Sequence, residues 1–225
     1  MKYIIVLIIT TSIACGQRDS TRNSFNLIYG QKYLSNKTFD GKINSLENIN
    51  FGAPLTYIGF GTSGNIPINR RKLKRFGHGN YTQIIPQKIL VNDTTSANIT
   101  GFNFGFTFLG VDAFPEQKNF DLFVSLGANT GRLRIYGNSY VNQKNPYFSP
   151  KISLTPRVII RNICLQIQID YEVDISKKNW RKTNFSDSPK INLPQTSNTG
   201  VTILTSIGYV LSTKNKKGKV ESDEE

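Results

Sequence analysis

ICLQIQIDYEVDI, residues 163–175, alternates without a break. Ile163, Leu165, Ile167, Ile169, Tyr171, Val173 and Ile175 fall on one side of an extended chain, and Cys164, Gln166, Gln168, Asp170, Glu172 and Asp174 on the other. Successive side chains of a strand point to opposite faces, so a period of two sorts this stretch into an apolar and a polar face, which a helix of 3.6 residues per turn does not do. The residues before it alternate as well: Pro150, Ile152, Leu154, Pro156, Val158 and Ile160 oppose Lys151, Ser153, Thr155, Arg157 and Ile159. Folding the two runs about a turn at Arg161-Asn162 predicts Ile160 beside Ile163, Val158 beside Leu165, Leu154 beside Ile169 and Ile152 beside Tyr171. On the other face Arg157 meets Gln166, Ser153 meets Asp170 and Lys151 meets Glu172. A slip by one residue would mix the faces along the whole hairpin, so the register is tightly specified.

The same period recurs outward from this hairpin. Phe102, Phe104, Phe106 and Phe108 alternate with Gly101, Asn103, Gly105 and Thr107, and Phe120, Leu122, Val124 and Leu126 oppose Asp121, Ser125 and Gly127. A phenylalanine wall backed by glycines and small polar residues suits a lipid-facing surface better than a soluble sandwich. Strands are predicted at 49–62, 81–91, 99–110, 119–128, 132–141, 148–160, 163–175 and 200–212, the last carrying Val201, Ile203, Ile207, Tyr209 and Leu211. Alternate connections, 63–80, 111–118, 142–147 and 176–199, are longer on the whole than 92–98, 129–131 and 161–162. Outer-membrane barrels have such an asymmetry, with short periplasmic turns and longer external loops. Strands of this length cross a bilayer obliquely, and a closed barrel satisfies every backbone group without water.

The expected fold is all-β: an antiparallel up-and-down transmembrane β-barrel of about eight strands over residues 49–212. In this patterning the chain resembles the small eight-stranded bacterial outer-membrane barrels. The resemblance rests on architecture over that range and on no diagnostic motif, and it implies an integral protein of the outer membrane. Three features run against it. Pro156, and Pro86 in the 81–91 segment, each remove a ladder hydrogen bond. A polar tail, 213–225, expected to be disordered, follows the last strand and ends in Glu221, Asp223, Glu224 and Glu225. Finally, 17–48 holds a further candidate strand, Phe25 to Leu34, which is either an addition to the count or part of a periplasmic leader.

Composition points to the same compartment. Val, Ile, Thr, Tyr and Phe, with 18 Gly, dominate over helix formers, and there is one Met. Residues 1–16 have the form of a secretory signal: Lys2, an apolar run from Tyr3 to Ile9 too short to span a bilayer, then small residues. Cys15 at its end is a candidate lipidation site, although Ser12-Ile13-Ala14 fits a lipoprotein signal only loosely and ordinary cleavage between Ala14-Cys15-Gly16 and Gln17 would discard it. With Cys164 the only other cysteine, no disulfide framework is expected. Excess Lys and Arg, 28 against 15 acidic residues, would suggest nucleic acid in a cytosolic chain. In an exported one it directs attention to outer-membrane lipid and lipopolysaccharide phosphates instead, with no nucleic-acid partner.

Catalytic and metal signatures are wanting. His78, the one histidine, lies in a glycine-flanked stretch read as a solvated loop, and no nucleophile elbow, phosphate loop or metal-spaced Cys/His cluster occurs. An enzyme is not expected, nor a cofactor. Asp170, Glu172 and Asp174 share one strand face and invite a calcium reading. Their spacing along one strand favours instead a polar network inside the barrel with Lys151, Arg157 or Arg134. Two basic clusters, Arg70, Arg71, Lys72, Lys74 and Arg75, and Lys177, Lys178, Arg181 and Lys182 around Trp180, are candidate polyanion sites. The strand count places both on the long-loop rim. The function expected is a monomeric structural or interaction barrel displaying basic external loops, too narrow for a general pore. The alternative is a soluble or lipid-tethered exported β-barrel or sandwich, periplasmic or on the cell surface, that binds an apolar ligand. The two differ in where the phenylalanines point.

Overall fold

A computed structural model describes residues 21–35, 54–67, 74–92, 95–115, 117, 119–137, 140–176, 180–182 and 197–213. The strands are β1 Thr21–Leu34, β2 Leu55–Pro67, β3 Lys74–Asn92, β4 Thr95–Asp112, β5 Phe120–Gly137, β6 Tyr140–Ile160, β7 Ile163–Glu172, β8 Arg181–Lys182 and β9 Gly200–Thr213. They pair in the order β5-β4-β3-β2-β1-β9-β7-β6, and β5 pairs again with β6, which closes an eight-stranded antiparallel barrel. The two-residue β8 is a ninth, short addition to the edge of β6, through Gln143↔Lys182 and Lys144↔Arg181. Among the described residues no helix is long and apolar enough to cross a membrane.

The hairpin at the centre of the sequence argument forms in the register its side chains demand. Ile160 faces Ile163, Val158 Leu165, Leu154 Ile169 and Ile152 Tyr171, and Arg157, Ser153 and Lys151 face Gln166, Asp170 and Glu172. Its turn places Arg161 at φ 56°, the left-handed conformation that tight hairpins need. The prolines sit where they cost least. Pro156 falls in the interruption of the β6–β7 ladder between Leu154↔Ile169 and Arg157↔Gln166, and Pro86 falls in a bulge of the β3–β4 ladder between Ile84 and Gln87.

Two strand assignments change, and they offset each other in the count. The segments expected as 119–128 and 132–141 are one strand, because Asn129-Thr130-Gly131 continues the ladder rather than turning. A Cβ on Gly131 would lie 2.2 Å from the Phe102 carbonyl oxygen and 2.6 Å from the Tyr147 hydroxyl, so this glycine serves a close approach inside the sheet, not a bend. Phe25 to Leu34, left over in the sequence count, is most of β1. It pairs with both β2 and β9, so the barrel starts at Thr21 rather than at residue 49, and this stretch is not a periplasmic leader. Merging two strands reverses the direction of every later one. Connections 68–73, 113–119 and 161–162 therefore share the end of the barrel where β1 starts and β9 finishes, and 35–54, 93–94, 138–139 and 173–199 share the other. The residues 142–147 are no loop; they lie within β6.

Candidate functional site: an ionic lumen beneath an apolar mouth

The outside of the barrel is apolar. On β7 every outward residue from Ile163 to Ile175 is exposed and apolar, and Ile203, Ile207, Tyr209 and Leu211 on β9 and Phe25, Leu27 and Tyr29 on β1 continue the belt. The phenylalanine stripe points outward too. Phe102, Phe104 and Phe106 alternate with buried Asn103 and Gly105, and Phe108, 61% exposed, occupies a bulge between Thr107 and Leu109. Rings continue across the wall from Phe25 to Phe60, from Phe60 to Tyr81 and from Tyr81 to Phe102 and Phe104, with centroids 5.6 to 6.2 Å apart. An apolar patch that encircles the molecule far exceeds what soluble monomers expose, and only acyl chains satisfy it on all sides.

Charge lies inside. Lys151 Nζ donates to Asp170 Oδ2 at 2.7 Å, both side chains fully buried, and Gln168 donates to the same carboxylate. Lys32 Nζ reaches Glu172 Oε2 at 2.7 Å, and the hydroxyl of Thr202 donates to the other oxygen of Glu172. Arg157 grips Asp121 through Nε at 2.9 Å and Nη2 at 2.6 Å, while its guanidinium lies over the rings of Phe76 and Phe123, 5.9 and 5.2 Å from their centroids. Asp174 accepts from the backbone N–H and hydroxyl of Ser176 and from the N–H of Asn198, tying the β7–β9 connection over the rim. The buried cations Lys32, Lys151 and Arg157 therefore each have a carboxylate partner, while Asp174 is held by hydrogen bonds alone; pairing and hydrogen bonding are the conditions under which burial is tolerable. Among the described residues these side chains fill the interior of an eight-stranded barrel, whose width just accommodates them.

Towards the end that carries 35–54 and 173–199, the pattern inverts. On β4 the inward residues are Ala97 and Ile99, with Asn98 exposed; on β5 they are Leu133 and Ile135, with Arg132 and Arg134 exposed. With Leu55, Tyr57, Ile84, Ile89 and Tyr147 these side chains form one buried cluster inside the mouth of the barrel, and Trp180 is packed into it. Tyr147 also donates from its hydroxyl to Asn103 Oδ1 at 3.0 Å, where the apolar cluster meets the polar lumen. In lipid a strand must be apolar outside; in water it must be apolar inside. The change of phase, between Ile99 and Phe102 on β4 and between Leu126 and Arg132 on β5, thus marks the level at which the barrel leaves the membrane. Above it the β3–β4 and β5–β6 hairpins and β8 form a water-exposed cap with its own core. This corrects the expectation of a hydrophilic interior throughout.

The sequence candidates are distributed as follows. Lys151, Arg157, Asp170, Glu172 and Asp174 all face the interior, but Arg157 binds Asp121 rather than a β7 acid, Glu172 binds Lys32, and Arg134 points outward into solvent. Asp121 and Lys32 were not singled out in the sequence, although both lie at inward parity on alternating strands. Nor is His78 in a loop. It is buried on β3, stacked on Phe76 at 6.0 Å, with Nε2 3.1 Å from Asn80 Nδ2. Cys164 is a free thiol facing inward beside Ile159 and Val210. Among the described residues no group of three or more His, Cys, Asp or Glu side chains could hold a metal ion. The described members of the two basic clusters do not share a rim. Lys74 and Arg75 begin β3 at the end where β1 starts and β9 finishes, Arg75 opposite Val111, whereas Arg181 and Lys182 pair with the opposite end of β6. The reversal of strand direction caused by the merged β5 explains the misplacement. Arg70, Arg71, Lys72, Lys177 and Lys178, the signal and Cys15, and the tail from 214 lie outside the described residues.

A closed antiparallel barrel, greasy outside and ionic inside, is the architecture of the small bacterial outer-membrane barrels. No family model and no curated protein sequence matches the chain. Among solved structures it is similar to Ail, the attachment invasion locus protein of Yersinia pestis, at 10% identity, covering 87% of this chain and all of that one, with a TM-score of 0.47.

Proposed function

We propose that this chain is an integral outer-membrane barrel that does not conduct, and that holds a folded β cap on the external side for interaction with the cell surface or with partners. The observation that carries this reading is the inversion of inward and outward polarity along β4 and β5: one half of each strand is built for acyl chains and the other for water. The cap lies on the side that carries the two longest connections, 35–54 and 173–199, alongside the tight turns 93–94 and 138–139 that close its own hairpins, which fits external placement, since long loops are the external ones. A structural and interaction role suits a lumen closed twice, by ion pairs below and by the cluster around Trp180 above. The alternative of a soluble barrel holding an apolar ligand needs an empty apolar interior. Here the apolar part of the interior is occupied by the protein's own side chains.

The test is fractionation followed by reconstitution. The protein should stay with the outer membrane after a carbonate wash, should migrate differently on a gel before and after boiling, and should give no stepwise ion currents in planar bilayers. Release into the soluble fraction would overturn the membrane barrel, and sustained conductance would overturn the sealed lumen.

A further inference from the structure

Just above the level where β4 and β5 change phase, the outer wall carries a compact group of cations. Cross-strand pairing sets Thr100, Arg134, Lys144 and Arg181 side by side on β4, β5, β6 and β8. The row next to it towards the membrane holds Phe102, Arg132 and Pro146, and the one beyond that is Phe104, Thr130 and Phe148. Directly paired residues on neighbouring strands stand roughly 5 Å apart, so Arg134, Lys144 and Arg181 span about 10 Å, with Arg132 about 7 Å from Arg134 along β5. Arg132, Arg134 and Arg181 are exposed and Lys144 is half-buried. The guanidinium of Arg132 lies over the Phe102 ring, 5.3 Å from its centroid, which holds it at the boundary between the aromatic belt and water. Among the described residues no carboxylate stands on any of these rows.

Like charges placed directly opposite each other on a sheet are unfavourable. Two such contacts in succession, Arg134 with Lys144 and Lys144 with Arg181, call for an anion from outside the chain. The height on the barrel says which one: the group sits one residue step above the apolar belt, where the phosphates of the surrounding leaflet lie. We infer that Arg132, Arg134, Lys144 and Arg181 form a binding site for the phosphate groups of outer-leaflet lipid of the lipid A kind. The inference rests on the membrane reading and on the cap being external. It shares only Arg181 with the clusters the sequence suggested, because Arg132 and Arg134, Lys144 and Arg181 lie apart in the chain and only β5–β6–β8 pairing gathers them.

The test uses the full chain in nanodiscs of phosphatidylcholine containing either diphosphoryl lipid A or the same lipid after dephosphorylation. Wild type should bind diphosphoryl lipid A, and unfold at a higher temperature with it than with the dephosphorylated form. The variant R132Q/R134Q/K144Q/R181Q should keep its barrel but bind diphosphoryl lipid A at least about tenfold more weakly, a conservative loss given roughly fivefold per surface cation. K74Q/R75Q, at the opposite rim, should behave as wild type. The proposal is overturned if the fourfold variant binds as wild type does, if K74Q/R75Q loses as much, or if wild type does not distinguish the two lipids. It is also overturned if millimolar inorganic phosphate alone reproduces the stabilisation, since that would make the site one for free phosphate. Failure of wild type to insert into any of these bilayers would instead refute the membrane barrel, and gel mobility before and after boiling separates the two failures.

Discussion

Ile169→Arg gives the sharpest contrast between a barrel in lipid and one in water. Ile169 is the middle of the outward run from Ile163 to Ile175, is 40% exposed, and lies between Leu154 on β6 and Ile203 on β9. At about 3.4 Å per residue that run is about 40 Å of strand, and a tilt of about 45° makes it about 29 Å tall, close to the apolar band of roughly 25 Å in outer-membrane barrels. Ile169 therefore sits near the bilayer midplane, where an outward arginine costs about 2–4 kcal/mol. On a soluble barrel the same side chain would point into water and the change would stay within about 0.5 kcal/mol. Asn98→Arg, also outward but on the cap above the change of phase, is the control and should cost less than about 0.5 kcal/mol in either case. The assay is urea unfolding from phosphatidylcholine vesicles, followed by the fluorescence of Trp180, the single tryptophan, and by the gel mobility of unboiled samples. Equal, near-zero losses for the two variants would refute the membrane reading of β7. A large loss for Asn98→Arg would refute the placement of the boundary.

Three further substitutions address the interior. Asp121→Ala leaves the Arg157 guanidinium buried without its carboxylate and should cost about 3 kcal/mol in the same unfolding assay, with much of this recovered in D121A/R157M, since removing both charges removes the desolvation cost as well. Trp180→Ala should loosen the cap and not the membrane half: limited trypsin digestion should cut at Arg181 at least about tenfold faster, while the boiled-versus-unboiled gel shift persists and no ion conductance appears, because the ion pairs below still close the lumen. Gly131→Ala drives a methyl group against the Phe102 carbonyl and the Tyr147 hydroxyl and should destabilise the barrel by at least about 1–2 kcal/mol, whereas a true turn glycine in a loop, as the sequence suggested, would tolerate the change within about 0.5 kcal/mol.

What could be read in the sequence followed from side-chain alternation, and it was local. The hairpin 150–175 was legible to the residue because each face is chemically uniform and any other register would mix them. The outward direction of Phe102–Phe106 was legible for the same reason. The errors came where a residue type has two meanings. Asn129-Thr130-Gly131 has the composition of a turn, yet Gly131 is there because a neighbouring strand and the Tyr147 ring approach too closely for a side chain. The glycines flanking His78 suggested a loop, but they are outward residues of β3, and His78 between them is buried. The change of phase was also present in the sequence: Ala97 and Ile99 lie at odd positions, and Phe102, Phe104 and Phe106 at even ones. Read within single strands it looks like a strand ending, whereas it is one strand passing from water into lipid.

By itself the sequence determined that the chain is built of alternating strands with one greasy and one polar side, and it led to the expectation that such strands close into a cylinder with the greasy side out. Only the tertiary structure decided which ends of those strands lie together. Closing the barrel through β1 and β9 joined Lys32 to Glu172 across 140 positions, the merged β5 placed Lys74 and Arg75 at the opposite rim from Arg181 and Lys182, and β5–β6–β8 pairing gathered Arg132, Arg134, Lys144 and Arg181 on one wall. The physical reason is that alternation encodes the face of a residue but not its height or its neighbours. Those depend on the direction of every strand, and a single merged strand reverses all that follow.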